Sequence, residues 1–283
     1  MPASPYSSVQ QARTILAARL VELQKDAGIR TARDMAGRLG WQESKVSRIV
    51  NAVTPPSEDD VTAWCTACGA AGEISGLIAA LRLAAGAWVE WRRMERHGLR
   101  AAQESIWPLH ERTDRFGVYT HNLMPGLIQV RGYTAAVLGA TRKRRGLADD
   151  VEEAVEVRMQ RQQILMAPGK TFVFVLEESV LRHRVTDDEV MAEQLGYLLR
   201  VAALPNVRVG VIPHGIARER YAPETFYVYG SEQVAVELVG AYLTITQPKE
   251  IALYEQAFKE LSELAVYGPG IRKPIAKALE ALS

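Results

Sequence analysis

Hydrophobic residues recur every three or four positions through most of the first 90 residues, as they do on the buried face of an amphipathic helix. Gly28 and Gly40 stand where two of these repeats end, and Thr31 and Ser57 stand where two others begin. The pattern predicts helices over residues 9–27, 31–39, 42–50 and 57–68. The N-terminal part of the chain is therefore predicted to be an all-α bundle.

A fifth helix is predicted from Ile74 onward. Leu77 and Leu81 begin its apolar stripe, and Trp88 and Trp91 continue it at helical spacing. No segment rich in proline or glycine separates this helix from the residues that follow it. We therefore expect one long connecting helix that would transmit a shift rigidly from the bundle to the rest of the chain.

After about residue 105 the pattern changes to a mixture of strands and helices. The apolar run at residues 172–176 is typical of a strand covered on both faces, and alternating patterns follow it. Short connections between the later strands indicate antiparallel pairing. The predicted strands are 172–176, 207–211, 226–228, 234–238 and 241–245, and the predicted helices are 133–144, 148–166, 191–202, 251–265 and 271–282.

The predicted fold class is multidomain, with a five-helix N-terminal bundle followed by an α+β domain that has a mainly antiparallel sheet. The predicted domains are residues 1–72, a connecting helix over 73–104, and residues 105–283. No apolar run approaches the roughly 18 residues of a membrane helix, and the first residues lack the features of a signal peptide. We expect a cytoplasmic protein without a membrane segment.

The charge is distributed unevenly between the predicted domains. The whole chain has 34 lysines and arginines against 33 acidic residues, so its net charge of +1 argues against bulk binding of polyanions. Residues 1–52, however, hold eight basic side chains and four acidic ones. Any contact with nucleic acid is therefore expected from this basic region.

Residues 31–50 have the arrangement that a helix-turn-helix needs. Two short helices flank the turn Leu39-Gly40-Trp41, and the second keeps an apolar stripe opposite an outward face of short polar and long basic side chains. These features favour DNA binding. Spacing alone leaves open a generic helical bundle with a solvated polar face.

The chain also resembles a known family. Leu39-Gly40-Trp41, Ser44 to Ile49 and Pro56-Ser57 resemble the Cro/phage-repressor type of helix-turn-helix, the xenobiotic-response-element regulators. Pro125 to Gln129, Arg161-Gln162 and Pro205-Asn206-Val207 resemble a companion domain found in antitoxin-like regulators of antibiotic-producing, sporulating bacteria. The resemblance implies a DNA-binding transcription regulator, often encoded beside a very small partner protein.

Two positions depart from the pattern of this family. Ala32 occupies the place of a glutamine that braces the DNA backbone, so that contact is expected to be lost. Ala52 closes the recognition helix where the family has glycine, so a turn that prefers glycine has to accommodate a Cβ atom.

The resemblance also implies which residues contact DNA. Arg48 would bridge guanine O6 and N7, Gln42 would pair with adenine, and Glu43 would accept from cytosine N4. Simple solvent exposure remains the alternative for each of them. The full predicted set comprises Gln42, Glu43, Ser44 and Arg48 as base contacts, Lys45, Ser47 and Asn51 as phosphate contacts, and Thr31 at the start of the preceding helix. A homodimer on a pseudo-palindromic duplex operator is expected.

The sequence gives little support for catalysis. Its five histidines are scattered, and no HExxH, GxSxG or glycine-rich phosphate loop occurs, so we expect no catalytic residues, cofactor or metal. Cys65 and Cys68 form a CxxC without a second pair, and their helical spacing favours core packing over zinc or redox chemistry. An enzyme in the second domain remains a remote alternative.

Two interpretations of the second domain stay open. It is either a sensor whose pocket takes a small molecule, with Trp107, Tyr119, Phe226 and Tyr229 as candidate lining residues, or a surface for dimerisation and for a small protein partner. We predict a sequence-specific transcriptional regulator with one of these inputs. The alternative is an antitoxin-like protein that mainly neutralises its small partner and binds DNA to regulate its own synthesis.

Overall fold

The computed structural model describes residues 8–86, 88–90, 95–222, 224–239 and 241–282. The chain divides into two units, Met1–Trp88 and Val89–Ser283. The helices of the first unit are α1 (Ser8–Asp26), α2 (Ala32–Leu39), α3 (Glu43–Val50), α4 (Glu58–Ala67) and α5 (Ile74–Gly86), and a 3₁₀ turn at Ala71–Glu73 precedes α5.

Local capping fixes the ends of the short helices, as the sequence predicted. The hydroxyl of Thr31 accepts from the backbone of Asp34, whose carboxylate accepts in return, and this capping box begins α2. Gly40 ends α2 in the left-handed conformation at φ +65°, which glycine adopts without strain. Ser57 and Asp60 form a second capping box at the start of α4.

The core of the first unit lies between α1, α2, α3 and α4. Leu20, Met35, Val46 and Ile49 are almost completely buried there around Trp64. The indole Nε1 of Trp64 donates to the backbone oxygen of Leu20 at 3.0 Å, so its one polar atom is satisfied. The predicted inward stripes of the first four helices are confirmed in the main, but Ile15, which was predicted to belong to the stripe of α1, is 66 % exposed.

The prediction of one long connecting helix is wrong. Helix α5 ends at Gly86, and residues Trp88–Glu90 form strand β1. Glycine is a poor helix former, and tryptophan and valine both favour strands, so local preference opposes a continuous helix here. Trp91 lies outside the described residues. The structure therefore does not support the expectation that a shift is transmitted rigidly along one long helix.

The second unit is built from a sheet and helices. Its helices are α6 (Gly98–Glu104), α7 (Trp107–Arg112), α8 (Arg131–Arg145), α9 (Val151–Arg161), α10 (Asp188–Val201), α11 (Pro248–Leu264) and α12 (Arg272–Glu280). The further strands are β2 (Arg115–Thr120), β3 (Thr171–Glu177), β4 (Val207–Ile212), β5 (Phe226–Tyr229), β6 (Gln233–Glu237), β7 (Ala241–Ile245) and β8 (Val266–Tyr267). Within the described residues, the strand order is β1-β7-β6-β5-β2-β3-β4-β8.

The sheet is mainly antiparallel, as predicted, but its centre is parallel. Strands β5, β6 and β7 form the predicted antiparallel meander. Strand β4 was expected to pair with these later strands, and it instead lies between β3, to which it is parallel, and β8. Helices α8, α9 and α10 occur in the connections that bring β2, β3 and β4 side by side, and such crossovers allow parallel pairing.

Each face of the sheet carries its own core. Phe116, Phe174 and Tyr229 belong to the core on one face, whereas Tyr119 and Phe226 belong to the core on the other. Successive side chains of a strand point to opposite faces, which explains this division. The predicted strand at residues 172–176 is therefore covered on both sides.

Candidate DNA-contact surface and cavity

The outward face of α3 presents the side chains predicted to contact bases. Gln42, Glu43, Ser44 and Arg48 are all exposed, whereas Val46, on the opposite side of the helix, is fully buried. Gln42 is the N-cap residue but makes no capping hydrogen bond with its side chain. Its amide therefore remains available for a hydrogen bond to another molecule.

Lys45 lies at the edge of this face and has a partner within the protein. Its Nζ is 2.6 Å from Oδ1 of Asp60 and 3.9 Å from the centre of the Trp41 ring. The other carboxylate oxygen of Asp60 accepts from the backbone nitrogen of Ser57 at 3.0 Å. One carboxylate thus joins α3 to the capping box of α4.

This environment shifts the pKa of Asp60. Burial acts to raise it, but the hydrogen bonds from Lys45 and Ser57 outweigh burial and hold the pKa below its usual value. The carboxylate is therefore ionised at neutral pH and favours the folded state there.

The other predicted DNA contacts make hydrogen bonds near the ends of their helices. The side-chain amide of Asn51 donates to the backbone oxygen of Ser47 at 2.8 Å. The hydroxyl of Thr31 donates to Asp34 at 2.7 Å. Both Asn51 and Thr31 are exposed, and Ser47 is half-buried. The contacts of Ser47 and Asn51 with phosphate, and that of Thr31 with DNA, remain predictions.

The two departures from the family pattern have structural counterparts. Ala52 adopts φ +53° and is, among the residues described, the sole residue other than glycine with a positive φ. Its Cβ atom is thus accommodated in a turn where glycine would be unstrained, as predicted. Ala32 is half-buried at the start of α2.

Exposed basic side chains also lie near α2. Arg30 and Arg33 are exposed on either side of its N-terminus. Arg38 donates to the backbone oxygen of Ala67 at 3.3 Å, and Arg19 is paired with Glu22 and Glu73. The excess positive charge in the sequence signalled a basic region, but it did not separate the exposed arginines from the paired ones.

The second unit contains a cavity of about 220 Å³. It opens on the sheet face that carries Tyr229, which is the one member of the predicted aromatic set that lines it. Tyr119 and Phe226 are buried in the core on the opposite face. Trp107 is 36 % exposed, and its Nε1 donates to Glu111. The structure therefore does not bring the four predicted residues together.

Two arginines of α9 line the cavity and were not among the predicted site residues. Arg158 donates to the side-chain oxygens of Gln103 and Gln129, both at 3.0 Å. Arg161 is 6 % exposed and donates to the backbone and side-chain oxygens of Gln103. The sequence offered two signals, namely their spacing of three residues on one helix and the place of Arg161 in a stretch that resembles the companion domain.

Comparison with known families agrees with this division of the chain. A family described as a helix-turn-helix domain matches residues 15–77, and a domain of unknown function, DUF5753, matches residues 106–276. The chain belongs to the DUF5753 family. No curated protein and no solved structure is significantly similar to it. The helix-turn-helix is typical of DNA-binding regulators and includes α2 and α3.

Three further observations concern the described part of this DUF5753 protein. Cys65 and Cys68 are both free, and Cys65 packs in the core of the helix-turn-helix unit. Within the described ranges, no three histidine, cysteine or acidic side chains are grouped so that they could hold a metal ion. None of the described helices combines the length and apolarity needed to cross a bilayer.

His110 is buried beside the cavity of the DUF5753 domain. It is 5 % exposed, it packs against Phe116 and Tyr229, and its Nδ1 has no hydrogen-bond partner. Burial lowers its pKa to about 3, and the positive charges of Arg161 and Lys170 contribute to the shift. The imidazole is therefore neutral in the folded protein at neutral pH.

The first prediction concerns the Asp60 carboxylate. We expect Asp60→Asn to reduce the free energy of unfolding by about 1–2 kcal/mol at pH 7, because the ion pair with Lys45 is lost and the capping box is weakened. The difference from the wild type should begin to shrink as the pH falls below about 4, where Asp60 of the unfolded chain takes up a proton, and should shrink further as the pH falls through the lower pKa of the folded protein. Urea denaturation of the wild type and of Asp60→Asn, at pH 7 and at a pH below about 4, measures this difference in the free energy of unfolding.

Asp59→Asn is the matched control, since Asp59 is exposed in the same turn of α4. It should cost only a few tenths of a kcal/mol. An Asp60→Asn protein as stable as the wild type at pH 7 would contradict the structural role assigned to this carboxylate.

The second prediction concerns the pH dependence of the DUF5753 domain. The unfolded chain protonates His110 at its ordinary pKa near 6.5, whereas the folded domain does not, so stability is present above that pH and is lost as the pH falls. We expect His110 to reduce the free energy of unfolding by about 2 kcal/mol between pH 7 and pH 5.

Denaturation at both pH values should show this loss in the wild type and in the control His214→Gln, which changes an exposed histidine. The loss should be smaller in His110→Gln. An NMR titration of the His110 ring in the wild type gives an independent measurement. A ring that titrates near pH 6.5 would show that the prediction is wrong.

Proposed function

We propose that this protein is a sequence-specific transcriptional regulator of the xenobiotic-response-element type that acts in the cytoplasm. The observation that carries the proposal is the exposed face of α3, the second helix of the helix-turn-helix, with Gln42, Glu43, Ser44 and Arg48. Such a helix reads base edges in the major groove, and these side chains have the donors and acceptors for that contact.

The residues of this surface have different proposed roles. Arg48 specifies a base through its two parallel donors, and Gln42 and Glu43 contribute to base choice at neighbouring positions. Lys45 contacts phosphate while its ammonium stays near Asp60, and the ion pair holds the lysine in place beforehand. Ser47, Asn51 and Thr31 complete the contacts with the backbone of the duplex.

We further propose that the protein binds as a homodimer. A recognition helix of eight residues spans only a few base pairs, so one copy reads too little sequence to select an operator. Two copies related by a two-fold axis would bind half-sites about one helical turn apart.

The proposed role of the DUF5753 domain is regulatory and not catalytic. It would contribute to dimerisation and respond to a small molecule or to a small protein partner, and its cavity favours the small molecule. An antitoxin-like role remains the second candidate through the family resemblance. In either case the small molecule or the protein partner changes operator affinity only if it binds two states of the protein with different affinities.

The third prediction separates base recognition from phosphate contact. Arg48→Ala should weaken binding to a selected operator by about 1–3 kcal/mol and relax base choice at one position of each half-site. Lys45→Ala should weaken binding to all duplexes alike and lower the slope of log affinity against log salt by about one. Selection from a random duplex pool, followed by titrations at several salt concentrations, measures both effects.

Lys277→Ala, which removes an exposed charge from the second unit, is the control and should change neither quantity. Loss of base choice in Lys45→Ala with unchanged base choice in Arg48→Ala would reverse the assigned roles. Absence of any enriched sequence with the wild type would refute sequence-specific binding.

The fourth prediction concerns the oligomeric state on DNA. Light scattering after size-exclusion chromatography should give twice the chain mass, and footprinting on the selected operator should show two symmetric protected half-sites. Arg48→Ala should remain a dimer, because the substitution lies on the DNA-facing surface. A monomer that protects one asymmetric site would contradict the proposal.

A further inference from the structure

The cavity of the DUF5753 domain contains positive charge that the protein does not neutralise by ion pairing. Arg158 and Arg161 line it, and their described hydrogen bonds all go to uncharged oxygens of Gln103 and Gln129. No carboxylate in the described part of the chain forms an ion pair with either arginine. Burying a guanidinium without a charged partner is costly, which makes this arrangement unusual for a purely structural pair.

Donor groups of both arginines remain open. Arg161 is only 6 % exposed, and its buried Nε has no hydrogen-bond partner. No described hydrogen bond uses Nη2 of Arg158. Removal from water lowers the pKa of Arg158 to about 10, and the adjacent charge of Arg161 adds to this shift. Both guanidiniums are still charged at neutral pH.

The carboxylates that line the cavity do not cancel this charge. Glu95 is paired with Arg145, so that pair is neutral overall. Glu237 lines the cavity, and its charge interacts with those of Arg158 and Arg161, but it supplies at most one negative charge against the two. At least one positive charge is therefore unmatched, and a single negative charge from a ligand would balance it.

The remaining walls of the cavity indicate the rest of the ligand. Leu99, Phe116, Val118, Leu138 and Phe174 supply apolar and aromatic surface. The volume of about 220 Å³ is below the 300–1,000 Å³ that is usual for drug-sized ligands, so the occupant is small. Apolar walls with a few convergent polar groups are the ordinary composition of a binding site for a small organic molecule.

We propose that this cavity binds a small monocarboxylate with an apolar or aromatic body, and that Arg158 and Arg161 bind its carboxylate. Arginine is suited to this task, because its planar donors match the two oxygens of a carboxylate. The inference deepens the proposed regulatory role and rests on it for the consequence on DNA binding, whereas the binding event itself does not depend on DNA.

Benzoate is the probe, and benzamide, which has the same shape without the charge, is its neutral counterpart. Isothermal titration of the full chain without DNA should show that benzoate binds at least about tenfold more tightly than benzamide. Arg161→Gln should weaken benzoate binding by at least about tenfold and leave benzamide binding unchanged. Arg272→Gln, the same change at an exposed site outside the cavity, should have no effect.

Several results would overturn the proposal. They are equal binding of benzoate and benzamide, no benzoate binding at millimolar concentration, and an Arg161→Gln protein that binds benzoate as the wild type does. Phenyl phosphate that binds more tightly than benzoate would overturn the assignment to carboxylates. If Arg161→Gln does not fold, the comparison of benzoate with benzamide on the wild type decides alone. Because DNA is absent, failure here is distinct from failure of operator binding.

Discussion

A helix of eight residues is not stable in water by itself, so the outward face of α3 exists only because its other face is buried. Val46 and Ile49 provide that burial, and they pack in the same core as Trp64. Apolar contacts are not directional, and they would tolerate some rotation of so short a helix. The ion pair between Lys45 and Asp60 is directional, and it fixes one edge of α3 against the start of α4.

The same ion pair bears on recognition. A lysine on a solvated helix loses side-chain entropy when it binds phosphate, whereas Lys45 is already held between Asp60 and the ring of Trp41. Asp60 also places a negative charge near the proposed DNA surface, which weakens the attraction of that lysine for phosphate. In the proposed complex with DNA, this arrangement would exchange some affinity for phosphate for a fixed position of the lysine, and base choice would rest with the exposed Arg48, Gln42 and Glu43.

Much of the first unit was predictable, because its signals are local. A threonine or serine followed three residues later by an aspartate begins α2 and α4, and a glycine ends α2, all within one turn of the helix that they define. The parallel centre of the sheet was not predictable in this way. The pairing of β2 with β3 depends on residues about 56 positions apart, which no local pattern specifies.

The spacing of two residues predicted to line one pocket already contradicted that prediction. Phe226 and Tyr229 are three positions apart in one strand, so they must lie on opposite faces of the sheet and cannot line one pocket. Phe116 shares the face of Tyr229 through the pairing of β2 with β5, which joins residues far apart in sequence and was not predictable from a local pattern. Arg158 and Arg161 could not be placed in the cavity from the sequence either, because their burial depends on α6, which supplies Gln103.

The end of α5 at Gly86 removes a continuous helix as the route of regulation, but the condition for regulation stays the same. A ligand in the cavity affects operator binding only if its affinity differs between the DNA-bound and the free protein. That difference is reciprocal, so the factor by which a carboxylate changes operator affinity equals the factor by which the operator changes carboxylate affinity. A site with one unmatched positive charge is well suited to such coupling, because any rearrangement that alters the exposure of Arg161 to water alters the energy of binding an anion.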